Sequence, residues 1–203
     1  MVQALPQPVT FEQFIEWYPA TGTRYELHNG VIVEMNQPLG EHELITAILS
    51  RNLTAQILQK NLPYVIAKNA FVKPLTAESA YCPDILLLNP NNLVNEPLWQ
   101  KQSTVTQAAS VPFVAEVVSS NWGVDYANKA NDYEAMGIPE YWVVDYLGIG
   151  GRRYIGYPKL PTISLYSLID GEYQVNQFRG DDLIVSPTFS ELRLTAKEVL
   201  LTN

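Results

Sequence analysis

The feature that most constrains the fold of this chain is a pair of short, almost wholly apolar runs. Residues 85–88 read ILLL and residues 113–118 read FVAEVV. Apolar runs of this length, rich in aliphatic side chains, are typical of strands that are buried on both faces. The two runs therefore predict the central strands of a sheet that is flanked by helices.

Patterns before these runs predict helices and a hairpin. Thr10 begins a capping box, so a short helix should follow it and end near Pro19. In residues 24–35 alternating apolar side chains flank Asn29-Gly30, a turn pair that favours a β-hairpin. Apolar residues recur at steps of three and four from about Glu41 to Lys60, which predicts a long amphipathic helix.

Patterns after the first apolar run alternate between strand and helix. We expect a loop over residues 89–110, a helix over 124–136, strands over 140–146, 163–168 and 172–178, and a short helix after Thr195. The order strand, helix, strand around residues 113–146 suggests a crossover connection. The prediction is an α+β fold with a mixed sheet, and without repeats or linkers residues 1–203 should form a single domain.

Composition excludes several classes of protein. The 203 residues carry 13 Lys plus Arg and 21 Asp plus Glu, so the net charge is −8, which rules out a broadly basic nucleic-acid coat. The start MVQALPQPVT lacks the features of a signal peptide and no apolar run is long enough to span a membrane, so we expect a cytoplasmic protein. The lone Cys82 cannot form an internal disulfide or a cysteine-based zinc site.

Two carboxylates accompany the apolar runs. Glu116 lies inside residues 113–118, where an ionised side chain is costly unless it is paired, protonated or bound to a cation. Asp84 comes directly before the run 85–88. If the two strands are neighbours, both carboxylates can converge on one point, where a divalent cation would offset their repulsion. The alternatives are a turn-forming role for Asp84 and a salt bridge for Glu116.

The helix predicted after Glu116 carries Asp125, Lys129 and Tyr133 on one face, because they are spaced four residues apart. Taken alone, Asp125 and Lys129 have the order and spacing of a simple helix ion pair. The helix begins only a few residues after the strand of Glu116, so Lys129 could also reach the same point as the two carboxylates.

Two familiar motifs fail in this chain. Residues 42–46 read HELIT and lack the second histidine of the HExxH zinc motif, so His42 is a helix-start residue or a neighbour of the cleft. The glycines of residues 148–151 precede RRYIGYP, which has the pattern of β structure and not of a helix start. That context argues against a dinucleotide-binding fingerprint.

The sequence resembles PD-(D/E)xK nucleases at Pro83-Asp84 and at Glu116-Val117-Val118, with valine in place of the usual lysine. The segments RYELHNGVIVEM, YCPDILLL and VAEVVSSNWGVDYANKANDYEAMGIPEYWVVDY are similar to the Uma-two family of putative restriction endonucleases. In that family the lysine lies on the following helix. The likeness runs from about residue 10 to residue 200 and implies a restriction-endonuclease-like core, with an N-terminal helix and hairpin and a C-terminal β-rich extension.

Position by position, the resemblance implies that Asp84, Glu116 and the Val117 carbonyl bind Mg²⁺ or Mn²⁺, and that Lys129 is the displaced lysine. It also implies a role for Glu26, which would help to hold a second ion, whereas the alternative for Glu26 is an ordinary solvent-facing position. In phosphodiester hydrolysis the metal would polarise the phosphate and acidify a bound water. Lys129 would orient that water or stabilise the developing charge.

The implied activity is that of a Mg²⁺-dependent DNA endonuclease of restriction type, and a homodimer would let one site per chain cut both strands. The charge of −8 weighs against DNA binding unless cations gather locally. The available ones are Arg24, Lys68, Lys73, Arg152, Arg153, Lys159 and Arg179. The alternatives are a non-catalytic interaction module that retains the fold, and a nuclease that acts on RNA or on small nucleotides.

Overall fold

The computed structural model describes residues 8–75 and 77–201, which contain a six-stranded mixed sheet, two small two-stranded sheets and helices on both faces of the large sheet. Residues 1–7, on which most of the expectation about a signal peptide rests, lie outside the described residues. No helix in the described residues is both long enough and apolar enough to cross a membrane.

The bounds of the elements follow the sequence predictions closely in most places. The α-helices are α1 (Phe11–Trp17), α2 (Gly40–Gln59), α3 (Trp99–Gln102), α4 (Ala130–Met136), α5 (Arg152–Ile155) and α6 (Ala196–Leu200). The strands are β1 (Arg24–His28), β2 (Val31–Met35), β3 (Val65–Ala67), β4 (Phe71–Val72), β5 (Ile85–Leu88), β6 (Thr104–Val105), β7 (Phe113–Val117), β8 (Glu140–Asp145), β9 (Thr162–Ile169) and β10 (Glu172–Phe178). A π-helix (Val124–Lys129) precedes α4, and 3₁₀ turns span Pro90–Asn95 and Ala108–Ser110.

Local sequence signals account for the N-terminal elements. The predicted capping box is confirmed, because the Thr10 hydroxyl accepts a hydrogen bond from the Gln13 amide and the Gln13 side chain accepts one from the Thr10 amide. The predicted hairpin is also confirmed. Asn29 and Gly30 both have positive φ, as the tight turn between β1 and β2 requires.

The large sheet has the strand order β10-β9-β8-β7-β5-β3. Only β7 and β8 pair in parallel, and residues 124–136 form the helical crossover between them, as predicted. Strands β5 and β7 are antiparallel neighbours, with Ile85 opposite Ala115. This register places Asp84, just before β5, beside Glu116 on β7.

The core lies on both faces of this sheet. One cluster packs α2 and α6 against side chains that include Phe113, Ala115 and Val117, and the other packs residues 126–133 against Val114 and Val118. A third cluster joins α1 to the hairpin. Every residue of β5, β7 and β8 is buried, which confirms the assignment of these runs as central strands.

Three local predictions differ from the structure. Residues 89–110 are not one loop, because β6 pairs in parallel with β4 and the buried Glu96 carboxylate accepts backbone hydrogen bonds from Thr106 and Gln107. Residues 152–155 form the short helix α5, in place of β structure. The first part of the predicted helix 124–136 is π-helical and not α-helical. Each difference depends on contacts with residues elsewhere in the fold, which the local pattern does not contain.

Candidate active site

A cleft of about 510 Å³ opens between the hairpin, the start of α2 and the ends of β5 and β7. The polar and charged side chains that line it include all four residues predicted for the site. They are Glu26, Asp84, Glu116 and Lys129, joined by Arg24, His28, Glu34, His42 and Asp125. Five carboxylates and two permanent cations thus line one cleft.

The hairpin brings Glu26 to the cleft. Leu27 exchanges two backbone hydrogen bonds with Ala80, which fixes β1 against the segment that leads to β5. Glu26 is fully buried, so the solvent-facing alternative is wrong. Its carboxylate accepts a hydrogen bond from the Cys82 amide at 2.8 Å and lies 2.6 Å from Nε2 of His28. These contacts hold the carboxylate in one orientation.

Asp84 stands at the edge of the cleft, and its side chain is 18% exposed. Its Oδ2 accepts a hydrogen bond from the Val117 amide at 2.8 Å and lies 3.2 Å from Nε2 of His42. The same carboxylate oxygen therefore connects β5 to β7 and to the first turn of α2. Asp84 thus contacts residues of the cleft, which a local turn-forming role would not require.

Lys129 is the centre of the charge cluster. Its Nζ lies 2.9 Å from Oε1 of Glu116 and 3.4 Å from both Oε1 of Glu26 and Oδ1 of Asp125. The Lys129 side chain is only 4% exposed. Asp125 and Lys129 do form the helix ion pair, but the ammonium also joins the hairpin to β7. The helix ion pair is therefore present, together with contacts to Glu26 and Glu116 that the ion pair alone would not require.

The pKa values of the cluster reflect burial and mutual attraction. Burial raises the pKa of Glu116 well above its usual range, against the opposing effect of Lys129. Burial also raises the pKa of Asp125 to about 6. Burial alone would lower the pKa of Lys129, yet Glu116, Glu26 and Asp125 together raise it well above the usual range. Lys129 is therefore a permanent ammonium, whereas the carboxylates exceed the positive charge available to them.

His42 is also held at the cleft. Burial alone would lower the pKa of His42, but Asp84, Glu43 and a backbone hydrogen bond to Val117 raise it overall. Its Nδ1 is buried without a hydrogen-bond partner among the described residues. His42 therefore lies beside Asp84 and Val117, two of the three residues that were predicted to supply metal ligands.

The donor atoms suit a hard divalent cation only in part. Asp84 and Glu116 each have one carboxylate oxygen that accepts no hydrogen bond from the described residues, and oxygen ligands are those that Mg²⁺ and Mn²⁺ prefer. Across residues 8–75 and 77–201, however, no group of three or more His, Cys, Asp or Glu side chains is arranged to hold a metal ion. The Val117 amide faces Asp84, so Val117 could contribute only its carbonyl oxygen. The metal ligands therefore stay a prediction.

Sequence reasoning did not assign site roles to His28 or Tyr133, and it left His42 undecided. Tyr133 donates a hydrogen bond to Glu116 at 3.3 Å, and its place on the face of Lys129 was the available signal. Val118, at the usual lysine position, is buried among apolar side chains of the second cluster and offers no charge.

Comparison with known proteins shows the family and the fold of the chain. Residues 11–197 match the family Uma2, described as "Putative restriction endonuclease". A solved structure from Anabaena variabilis ATCC 29413, described as a putative nuclease belonging to DUF820, has a similar fold, with a TM-score of 0.71 and 18% sequence identity. The likeness covers 96% of this chain and 98% of that one. No curated protein matches the chain significantly. Because the family match covers most of the sequence, the chain belongs to the Uma2 family.

Proposed function

We propose that this protein is a Mg²⁺- or Mn²⁺-dependent nuclease that hydrolyses phosphodiester bonds in DNA. The observation that carries the proposal is the convergence of Glu26, Asp84, Glu116 and Lys129 on one cleft from four separate parts of the chain. Membership of the Uma2 family supports a nucleic-acid substrate.

The excess of carboxylates in the cleft supports the need for a cation. Asp84, Glu116 and the Val117 carbonyl are the groups that would hold it. A bound divalent cation would polarise a scissile phosphate and acidify a water at that point. Burial raises the pKa of Glu116, which is the expected condition of a carboxylate whose cationic partner is insufficient.

Lys129 would act on the phosphate through its position. Its ammonium stays charged and is fixed by Glu116, Glu26 and Asp125, so it needs little reorganisation when negative charge develops on a phosphoryl oxygen. Glu26 is held by His28 and by the Cys82 amide, so it positions Lys129 and need not touch the substrate.

The test is cleavage of supercoiled plasmid by wild type and by Asp84→Asn, Glu116→Gln and Lys129→Met, with Mg²⁺, with Mn²⁺ or with EDTA. We expect nicking by wild type with either metal, none in EDTA and none by the three variants. Glu172→Gln is the matched control, because Glu172 is exposed on β10 and should not affect cleavage. Metal-independent cleavage, or full activity in the Lys129 variant, would contradict the proposal.

A rescue experiment tests whether the position of the lysine charge is what matters. Val118 directly follows β7, two residues after Glu116 and therefore on the same face of the extended chain, and it is buried against the helical crossover that carries Lys129. Lys129→Ala should abolish cleavage, and adding Val118→Lys should restore part of it, limited by how precisely the new side chain is held. Circular dichroism of each variant shows whether a loss of cleavage reflects a loss of fold.

A second candidate is a non-catalytic interaction module with the same fold. The net charge of −8 and the lack of a preorganised metal cluster in the described residues favour it. The plasmid assay separates the two functions, because such a module would cut neither DNA nor RNA with any metal.

A further inference from the structure

The surface around α5 concentrates positive charge beside the cleft. Between Asp145 and Asp170 the chain has no acidic residue but carries Arg152, Arg153 and Lys159. All three are exposed, and none forms an ion pair with a described residue. In a chain of net charge −8, three unpaired cations on one short segment leave a local site for an anion.

Aromatic rings hold these cations in place. The guanidinium of Arg152 lies 4.5 Å from the centroid of Tyr157, and that of Arg153 lies 4.5 Å from Tyr154. Nζ of Lys159 lies 5.9 Å from the ring of Trp122. Contacts of this kind orient a cation without neutralising it, which lowers the entropy lost when it binds a phosphate. Tyr157 itself is 77% exposed.

The α5 surface adjoins the cleft. The Lys159 ammonium donates a hydrogen bond to the carbonyl of Ile149 at 3.0 Å, and Ile149 lines the cleft. Trp122 follows Asn121, which lines it as well. Arg153 and Tyr154 also line a separate groove of about 850 Å³, which presents Tyr126, Tyr166 and Tyr173 as well. A nucleic-acid strand that leaves the cleft past Ile149 would therefore meet cations and aromatic rings.

The charge of the cleft favours such an auxiliary surface. Five carboxylates and two permanent cations line the cleft, so phosphates on either side of the scissile bond would be repelled there. The α5 surface supplies positive charge at the rim. An exposed ring such as Tyr157 can stack on a base only if that base is unpaired.

We propose that Arg152, Arg153, Lys159 and Tyr157 bind a single-stranded segment of nucleic acid that leaves the cleft. The three cations contact its phosphates and Tyr157 stacks on a base. The inference rests on the proposed function in one respect, since the strand in the cleft is taken to be the nuclease substrate.

The test measures binding and not cleavage. An end-labelled single strand, its duplex and the RNA strand of the same sequence are titrated with protein in EDTA, and fluorescence anisotropy is followed at several salt concentrations. Arg152→Gln/Arg153→Gln/Lys159→Gln is compared with a control that loses the same charge, Arg51→Gln/Lys101→Gln/Lys197→Gln. The control residues are exposed, unpaired among the described residues and absent from the lining of both cavities.

We expect the α5 triple variant to bind the single strand at least about tenfold more weakly. Its slope of log affinity against log salt should be smaller by about 2, because each phosphate contact on a single strand contributes about 0.7. The control should bind like wild type. Tyr157→Leu should weaken single-strand binding without changing duplex binding. Tighter binding of either the DNA strand or the RNA strand supports the proposal and shows which of the two the surface prefers.

Three results would overturn the inference: an equal loss in both triple variants, no loss in either, or no effect of Tyr157→Leu. Failure of the nuclease proposal is a separate result. If wild type never cuts but the α5 variants lose binding, the surface is established and catalysis is not. If wild type cuts DNA, and the α5 triple variant cuts and binds DNA as well as wild type does, only the surface assignment fails.

Discussion

At the scale of residues, the cleft concentrates a charge imbalance around Lys129. One ammonium contacts Glu26, Glu116 and Asp125, and Asp84 lies next to this cluster. Removing the cation and removing one carboxylate should therefore have opposite consequences for stability. The first leaves buried charges unpaired, whereas the second relieves repulsion between them.

Glu116→Gln should be at least as stable as wild type in EDTA. The folded state raises the pKa of Glu116 above its unfolded value, so ionising this group costs stability. That cost is absent below the unfolded pKa and grows as pH rises towards the folded pKa. The advantage of Glu116→Gln in urea denaturation should therefore increase as the pH rises above the ordinary pKa of a glutamate. A large loss of stability would instead identify Glu116 as a structural partner of Lys129.

Lys129→Ala should lose about 3–5 kcal/mol of unfolding free energy, because Glu116 and Glu26 would remain buried without their cation. Urea denaturation at neutral pH in EDTA measures the loss. The double variant Lys129→Ala/Glu116→Gln should recover part of it, since one of the stranded charges is then gone. If the change in unfolding free energy of the double variant equals the sum of the changes in the two single variants, the two side chains are not coupled.

If Asp84 holds the metal as proposed, His42→Ala should weaken Mn²⁺ binding by about 10–100-fold, because residues that hydrogen-bond to metal ligands typically have effects of this size. His42 and the Val117 amide both contact Oδ2 of Asp84, which fixes the carboxylate and leaves its other oxygen available. Isothermal titration calorimetry measures the affinity. Glu172→Gln is the control, since Glu172 is exposed on β10 and does not line the cleft. Unchanged affinity in His42→Ala would remove His42 from the site.

At the scale of elements, the helical crossover between β7 and β8 combines two kinds of helix. Its first six residues, Val124–Lys129, are π-helical, and α4 continues to Met136. A π turn widens the helix and is often found at functional sites. Here it ends at Lys129, whose ammonium contacts both Glu116 on β7 and Glu26 on the hairpin.

The two ends of this crossover allow a matched pair of glycine substitutions. Gly137 caps α4 with φ of +83°, and an added Cβ would meet only Ala108 at 3.7 Å, so Gly137→Ala should cost roughly 1–2 kcal/mol through backbone strain alone. Gly123 has helical φ and open space around it, so Gly123→Ala should be neutral or stabilise by about 0.4–1 kcal/mol. Urea denaturation compares them. Similar effects of both would show that φ at Gly137 is not the cause.

Elements with local signals could be predicted from the sequence, and those that depend on distant contacts could not. The capping box at Thr10, the turn at Asn29-Gly30 and the apolar runs of β5 and β7 each carry their own signal. Strand β6 has only two residues and exists because it pairs with β4, so no periodicity could reveal it.

The same distinction applies to the site. Asp84 and Glu116 could be singled out because a carboxylate beside or within an apolar run is costly. The helix face shared with Asp125 indicated only an ion pair for Lys129, and its predicted site role came from the resemblance to the Uma2 family. The contact of His42 with Asp84 joins the start of α2 to the start of β5. Nothing local to residue 42 indicates which side chain it meets.

At the scale of the whole molecule, the cleft is assembled from elements that are far apart in the sequence. The hairpin, the first turn of α2, the start of β5, the end of β7 and the π-helix each supply a residue that lines it. Such a site exists only while the sheet and both of its helical layers are folded. A ligand that binds there should therefore stabilise the whole molecule and not one element.

Mn²⁺ should accordingly raise the melting temperature of wild type and not of Asp84→Asn or Glu116→Gln. Binding at a hundred times the dissociation constant adds about 2.7 kcal/mol to stability. For a chain of this size that corresponds to a rise of roughly 5–10 °C. Differential scanning fluorimetry with and without Mn²⁺ measures it, EDTA should reverse it, and Glu172→Gln should behave like wild type because Glu172 is exposed on β10. Equal shifts in all four proteins would show that Mn²⁺ stabilises the fold from somewhere other than Asp84 and Glu116.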